Sequence, residues 1–280
     1  MTAMIFGYEP AIRLGIYLGI LAALLLWEVA APRRALVQGR LRRWPGNIGI
    51  AALNTLVLRF VAPGAAVGIA LWAEQAGVGL FNVVALPYWL AVLLSFLAFD
   101  LLIYAQHVAF HKVGLLWRLH RMHHADLDID ATTGSRFHPI EILLSIAIKA
   151  AAVLLLGAPA LAVLLFEILL NATSMFNHAN VAMPAKMDRV LRLFVVTPDM
   201  HRVHHSWHRD ETDSNFGFNL PWWDRLFGTY RPQPRDGHEG MTIGLTMFRD
   251  PGQLRLDRML LQPFRTETPD RAQDSRPAAV

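Results

Sequence analysis

Apolar residues gather into four long stretches, Leu14–Ala31, Ile48–Trp72, Tyr88–Ala105 and Ile142–Phe176, and polar residues fill the segments between them. Each stretch is long enough to matter to a hydrocarbon layer about 30 Å thick, so the pattern predicts helices that enter a membrane. The fourth carries Gly157-Ala158-Pro159 near its middle, a turn signal inside an apolar run. It reads as a hairpin whose two arms, roughly 25 Å each at 1.5 Å per residue, dip into the bilayer and return.

Composition agrees. Of 280 residues 54% are hydrophobic and 17% charged, with mean hydropathy +0.33, which is too apolar for an average soluble domain. The net charge of +4 fits basic loops against anionic lipid heads, and no nucleic-acid partner is expected. There is no cysteine, which excludes disulfides, thiolate metal ligands and a cysteine nucleophile. Val29-Ala30-Ala31 resembles a signal cleavage site, but no basic residue precedes Arg13, so the first stretch is expected to be a retained span. Arg33, Arg34, Arg40, Arg42 and Arg43 mark the loop after it as cytoplasmic, and residues 73–87, free of Lys and Arg, as external. No internal boundary is evident: 1–265 reads as a single membrane-embedded domain and 266–280 as a disordered tail.

The hairpin matters because of histidine. Twelve are present. His107 and His111 form H-x-x-x-H at the end of the third stretch; His120, His123 and His124 form one H-x-x-H-H, and His201, His204 and His205 form a second. Chance would produce one such H-x-x-H-H on the order of 0.02 times per chain of this composition, so the pattern is specific. On a helix, i+3 and i+4 lie about 60° behind and 40° ahead of residue i, which points three imidazoles from one face. His138 precedes the hairpin and His178 follows it, so a re-entrant fold puts both groups on one side of the membrane. Eight or more imidazoles exceed the three or four ligands of one zinc ion and point to two metals; imidazole suits zinc, copper, iron and nickel alike. The expected fold is therefore all-α: an integral membrane helical bundle of about four hydrophobic segments, the last a hairpin, with a cytoplasmic histidine-rich helical cap holding a dinuclear metal site.

These boxes, with Asp100 and Tyr104 before the first, RFHPIE at 136–141, FNHAN at 176–180, VTPDMHRVHHS at 196–206 and WDRLFGTY at 223–230, resemble the fatty acid hydroxylase superfamily and its sterol desaturase-like members, over roughly residues 90–231. Val108 stands where many members carry Arg. The resemblance implies a membrane-bound non-haem diiron oxidoreductase that uses O₂ to hydroxylate or desaturate an unactivated C–H position of a membrane lipid such as a sterol, fatty acyl chain or ether lipid. It implies His107, His111, His120, His123, His124, His138, His178, His201, His204 and His205 as ligands of two iron ions, with zinc able to substitute. It further implies an external electron donor, a reductase or small electron-carrier protein on the cytoplasmic face, in keeping with the absence of a nucleotide-binding glycine fingerprint from the sequence. The implied location is the bacterial inner membrane.

Other residues carry weaker expectations. Asp100 is an acid inside a span, seven residues before His107, and is taken to orient a ligand, with packing against Arg59 as the alternative. Asp126, Asp199 and Asp224 could hold imidazole N–H groups or act as caps. His208 is one turn from His205, His238 stands alone, and Lys149 snorkels along the hairpin. Competing functions are a zinc-dependent membrane lipid hydrolase, which would want a motif such as H-E-x-x-H, and a non-enzymatic metal-binding membrane protein.

Overall fold

The computed structural model describes residues 8–62 and 64–266; most of the tail expected at 266–280 lies outside the described residues. Among the described residues, five helical segments are long and apolar enough to cross a membrane. The first stretch is α1 (Glu9–Ala30). The second, expected as one span, is two helices: α2 (Arg40–Val61) starts eight residues earlier than its apolar run, and α3 (Ala65–Ala76) follows after Gly64 at φ +64°. A single turn, α4 (Leu80–Val83), precedes α5 (Tyr88–Lys112), which continues past its apolar part to carry His107 and His111. Helix α6 (Gly114–His124) bears the first H-x-x-H-H.

The hairpin forms where the sequence places it. Helix α7 (Pro139–Leu156) ends on Gly157 at φ +61°, a left-handed cap that suits glycine, and Pro159 stands at the start of α8 (Ala160–His178). Helices α3, α5, α7 and α8 share an apolar cluster that includes Val67, Phe99, Val153, Val163 and Phe166. Leu18, Leu26, Phe60 and Leu155 point outward, which would be costly in water and is neutral in lipid. Lys149 does not snorkel. Its Nζ pairs with Glu167 across the hairpin at 2.7 Å, and Glu167 also accepts from Arg13 of α1 at 2.6 Å, so ionic groups inside the apolar layer are matched rather than left bare.

Beyond the membrane helices lies a polar cap built from α6, residues 125–138, α9 (Ala185–Leu191), α10 (Pro198–His204) with the second H-x-x-H-H, and short turns up to Phe264. Arg43, expected as a loop charge facing lipid, is fully buried. Its guanidinium makes a two-pronged contact with Asp126 at 2.8 and 2.8 Å and reaches Asp130 at 2.5 Å. Burial alone would raise the Asp126 carboxyl, but Arg43 holds it well below the usual carboxylate range. Asn47 donates to Asp126 and accepts from Arg136. The segment behind the first H-x-x-H-H is thus bolted to α2, and Asp126 holds an arginine, not an imidazole. Gly134 lets the same segment lie on α8, since a Cβ there would meet the Ser174 carbonyl oxygen at 2.5 Å.

Candidate metal centre

Nine histidines converge in the cap, just above the apolar layer, and all are buried. They form two adjoining groups whose potential ligand atoms lie within 4.8 Å of one another: His107, His111, His120, His124 and His204 in one, and His123, His178, His201 and His205 in the other. His124 and His205, from different groups, stack with ring centroids 4.5 Å apart. Each H-x-x-H-H is divided between the groups. The i, i+4 pair His120 and His124 serves the first group and the middle residue His123 the second, whereas His201 and His205 serve the second and His204 the first. The angular step explains the exchange: the i, i+4 pair spans about 40° of helix surface, while i+3 lies about 60° to the other side, so two facing helices can trade their middle residues.

The outer ring nitrogens show what the inner ones must be. The Nδ1 of His107, His123, His178 and His204 each faces a backbone carbonyl oxygen, those of Phe216 (2.7 Å), Arg136 (3.1 Å), Ser174 (2.6 Å) and Ser214 (2.7 Å). The Nδ1 of His120 faces Glu141 Oε1 at 2.7 Å and that of His111 faces Asp213 Oδ1 at 3.3 Å. Carbonyl oxygens only accept, so these Nδ1 atoms carry the proton and a neutral ring presents a bare Nε2 lone pair inward. Burial, and then the neighbouring imidazoles, push His123, His124, His201 and His205 well below the ordinary histidine pKa, and burial does the same for His204. Burial thus favours the neutral form of these five rings.

Yet His107 Nε2 lies 3.1 Å from His120 Nε2, and His123 Nε2 lies 3.1 Å from His178 Nε2. Two lone pairs cannot hydrogen-bond each other. The Nε2 atoms of His111, His124 and His204 are buried with no hydrogen-bond partner among the described residues, each a loss of about 1–3 kcal/mol if nothing satisfied it. A cation shared within each group resolves both problems, so the donor set fits two metal ions bound by nitrogen.

His138 is not brought into either group, contrary to the expectation of a tenth ligand. Its Nδ1 accepts from Ile140 N at 3.2 Å, capping α7, and its Nε2 faces Leu260 O at 3.3 Å. Among the described residues, no hydrogen bond or ion pair joins Asp100 to a histidine or to Arg59. Its carboxylate accepts from Asn219 Nδ2 (2.8 Å), Trp223 Nε1 (2.8 Å) and Leu220 N (3.3 Å), bracing a loop instead of a ligand. Asp224 braces the same loop through Phe216 N and Gly217 N, both at 2.8 Å. Asp199 pairs with Arg33 and Arg202. His208 pairs with Asp236 outside the cluster, and burial pushes His238 down to about 4 with Asp199 3.6 Å away.

Sequence reasoning missed the short segment Asp213–Phe216, which supplies the outer acceptors of His111, His204 and His107 in turn. Asn215 makes this possible by taking φ +50°, a left-handed conformation that asparagine tolerates, while its side chain holds the Met200 and Arg231 carbonyl oxygens at 2.8 Å each. The sequence signal was the Asp-Ser-Asn turn composition just beyond the second box.

Residues 92–229 match the family model for fatty acid hydroxylase. The chain belongs to the fatty acid hydroxylase family. It is 33% identical over 178 residues to the ornithine lipid hydroxylase of Rhizobium tropici, covering 64% of this chain and 51% of that protein. It is 30% identical over 157 residues to the alkylglycerol monooxygenase of Homo sapiens (54% and 32%) and 27% identical over 144 residues to the cholesterol 25-hydroxylase of Rattus norvegicus (51% and 47%). The chain therefore spans about half the length of the ornithine lipid hydroxylase and a third of the alkylglycerol monooxygenase. No solved structure matches it significantly.

Proposed function

We propose that this protein is an O₂-dependent, iron-using oxidoreductase that hydroxylates an unactivated C–H position of a membrane lipid. The observation that carries the reading is the pairing of bare Nε2 atoms, 3.1 Å apart within each of two adjoining buried groups. His107, His111, His120, His124 and His204 would hold one iron and His123, His178, His201 and His205 the other. Bound there, two iron ions would supply the capacity to activate dioxygen, since imidazole donors bring no anionic charge of their own.

The chain's own residues do the rest. The carbonyl and carboxylate partners of Nδ1 fix ring tautomer and orientation and raise ligand basicity. Burial of all nine rings excludes water. Both groups consist of histidine alone, and Glu141 and Asp213 meet them at outer nitrogens, so among the described residues no carboxylate lies within either ligand group as the general base a zinc hydrolase would use.

Placing one oxygen atom in a C–H bond and reducing the other to water consumes two electrons and two protons, which an external reductase or small electron carrier docking on the cap would supply. Relatives named for hydroxylating ornithine lipid or cholesterol, or oxygenating alkylglycerol, support hydroxylation over desaturation and a lipid drawn from the bilayer. Residues 1–265 act as one membrane-embedded unit, since α2 and α3 outside the matched region pack on α7 and α8, in the bacterial inner membrane with the cap cytoplasmic.

Lipid extracts of a host with and without the gene, compared by mass spectrometry, should show a species heavier by one oxygen atom, and purified active protein should hold about two iron ions per chain. Active protein with one ion or none would overturn the dinuclear reading. For sidedness, cysteines at Gln38, Lys112 and Arg235 should label from the cytoplasm and one at Gln75 from outside.

A further inference from the structure

Aromatic side chains that lie against the ligand cluster are Phe110, Trp117, Phe137, Phe216 and Phe218. Phe110, Phe216 and Phe218 are buried, whereas Trp117 and Phe137 are partly exposed. The two partly exposed rings face different surroundings. Arg209 lies over Trp117 at 4.8 Å, and the exposed Lys112 and Arg209 both pair with Asp213 beside it, so that approach is charged and closed to an alkyl chain.

Phe137 packs against the apolar cluster of the membrane helices. Its ring lies flat on His123, centroids 4.5 Å apart and planes 9° from parallel, and 6.5 Å from Phe218. Phe218 belongs to the same apolar cluster and lies 5.0 Å from His107. One aromatic pair therefore touches a histidine of each ligand group on one side and the membrane core on the other. The backbone around Phe137 is pinned: the Arg136 carbonyl accepts from His123, the Phe137 carbonyl accepts from Asn54 Nδ2 at 2.8 Å, and His138 caps α7. Only the ring is left to yield.

We propose that Phe137 and Phe218 form the floor past which the substrate's hydrocarbon chain reaches the metal centre, and that the bulk of Phe137 selects which carbon is presented. This rests on the function proposed above and adds the specificity-determining residue. An apolar wall discriminates by volume, about 10- to 200-fold per methylene, so its signature is a change of position and rate with iron content intact.

The test uses the full chain in membranes with Phe137→Leu, Phe137→Ala and Phe137→Trp. Phe137→Ala should move the new hydroxyl along the chain by one carbon or more, read by tandem mass spectrometry. Phe137→Trp should lower turnover at least tenfold at wild-type iron content, and Phe137→Leu, which keeps apolar packing, should retain iron and shift the product less than alanine. A phosphatidylethanolamine carrying an acyl-chain diazirine should cross-link to residues 136–141 of the metal-free wild type and not of Phe137→Trp. Unchanged product position and rate in both Phe137→Ala and Phe137→Trp, or cross-links confined to other segments, would overturn the proposal. A wild type that oxidises no lipid would sink the proposed function, while the cross-link, needing neither metal nor turnover, would still decide for or against the floor.

Discussion

Glu141 Oε1 accepts the Nδ1 proton of His120 at 2.7 Å, and both side chains are buried. The pair joins α7 of the hairpin to α6 of the cap and places a full carboxylate charge behind one imidazole of the first ligand group. Glu141→Gln keeps an acceptor oxygen but removes the charge, so iron affinity or turnover should fall about 10- to 100-fold, the range typical of such outer partners. Glu141→Leu should fall further, because it strands the Nδ1 proton in a buried site. Iron titration and product yield on the same preparations check this; an undiminished Glu141→Leu would show that the contact orients nothing that matters.

His178 Nε2 lies 3.1–3.2 Å from the Nε2 atoms of His123, His201 and His205, which makes it the hub of the four-member group. His178→Ala should reduce iron from about two ions per chain to about one and abolish turnover, while the five-member group keeps its ion. His138→Ala should keep both ions and lose only a helix cap, about 1 kcal/mol of stability. Iron analysis of the two variants side by side separates ligand from cap. Equal iron loss in both would restore His138 to the ligand set.

How much of this was legible beforehand follows from the range over which each feature is determined. The hairpin is local, because Gly157 and Pro159 break an apolar run at one point, and the structure turns where that break predicts. The histidines are also local, in boxes whose spacing is set by the helix. Their division between two groups is not, since the exchange of His123 and His204 depends on how α6 faces α10. The same holds for His138: its spacing resembles a ligand's, but the nearest demand on its ring is the open N–H of Ile140. Outer partners such as Phe216, 109 residues from His107, and the burial of Arg43 against Asp126 and Asp130, belong to tertiary structure and left only the turn and charge composition of their own segments as a trace.

The burial of five imidazoles in the cap makes stability depend on pH in a definite direction. The imidazoles of His123, His124, His201, His204 and His205 are held well below their ordinary pKa. In the unfolded chain they titrate near the usual value of about 6.5. Below that pH the unfolded state binds more protons, so the metal-free protein should lose stability as pH falls through about 6.5 and continue to lose it toward the depressed folded values. Each such proton steepens the slope by about 1.4 kcal/mol per pH unit. Thermal unfolding of the apoprotein in detergent should therefore drop steeply between about pH 6.5 and 5, and iron should blunt the drop by competing with protons for the same lone pairs. A flat profile would mean that the rings are already protonated in the folded state.

The last expectation concerns Asp100, whose carboxylate accepts from three N–H donors, Asn219 Nδ2, Leu220 N and Trp223 Nε1, and contacts no imidazole. Its influence on the metal centre must pass through the loop it holds, where the Phe216 carbonyl accepts from His107 and the Phe218 carbonyl accepts from Asn177 beside His178. Asp100→Asn replaces one acceptor oxygen with an NH₂ that cannot accept, leaving at least one of the three buried donors unsatisfied at about 1–3 kcal/mol. Thermal stability should fall by that amount, and turnover should fall further than iron content, because loosening the Phe216 carbonyl disorients a ring without removing its nitrogen. Asp100→Glu, with its carboxylate displaced by one methylene, should recover part of the stability. If Asp100→Asn lost iron as completely as His178→Ala, the residue would have to act on the ligands directly, and the hydrogen bonds to Asn219 and Trp223 would be incidental to its role.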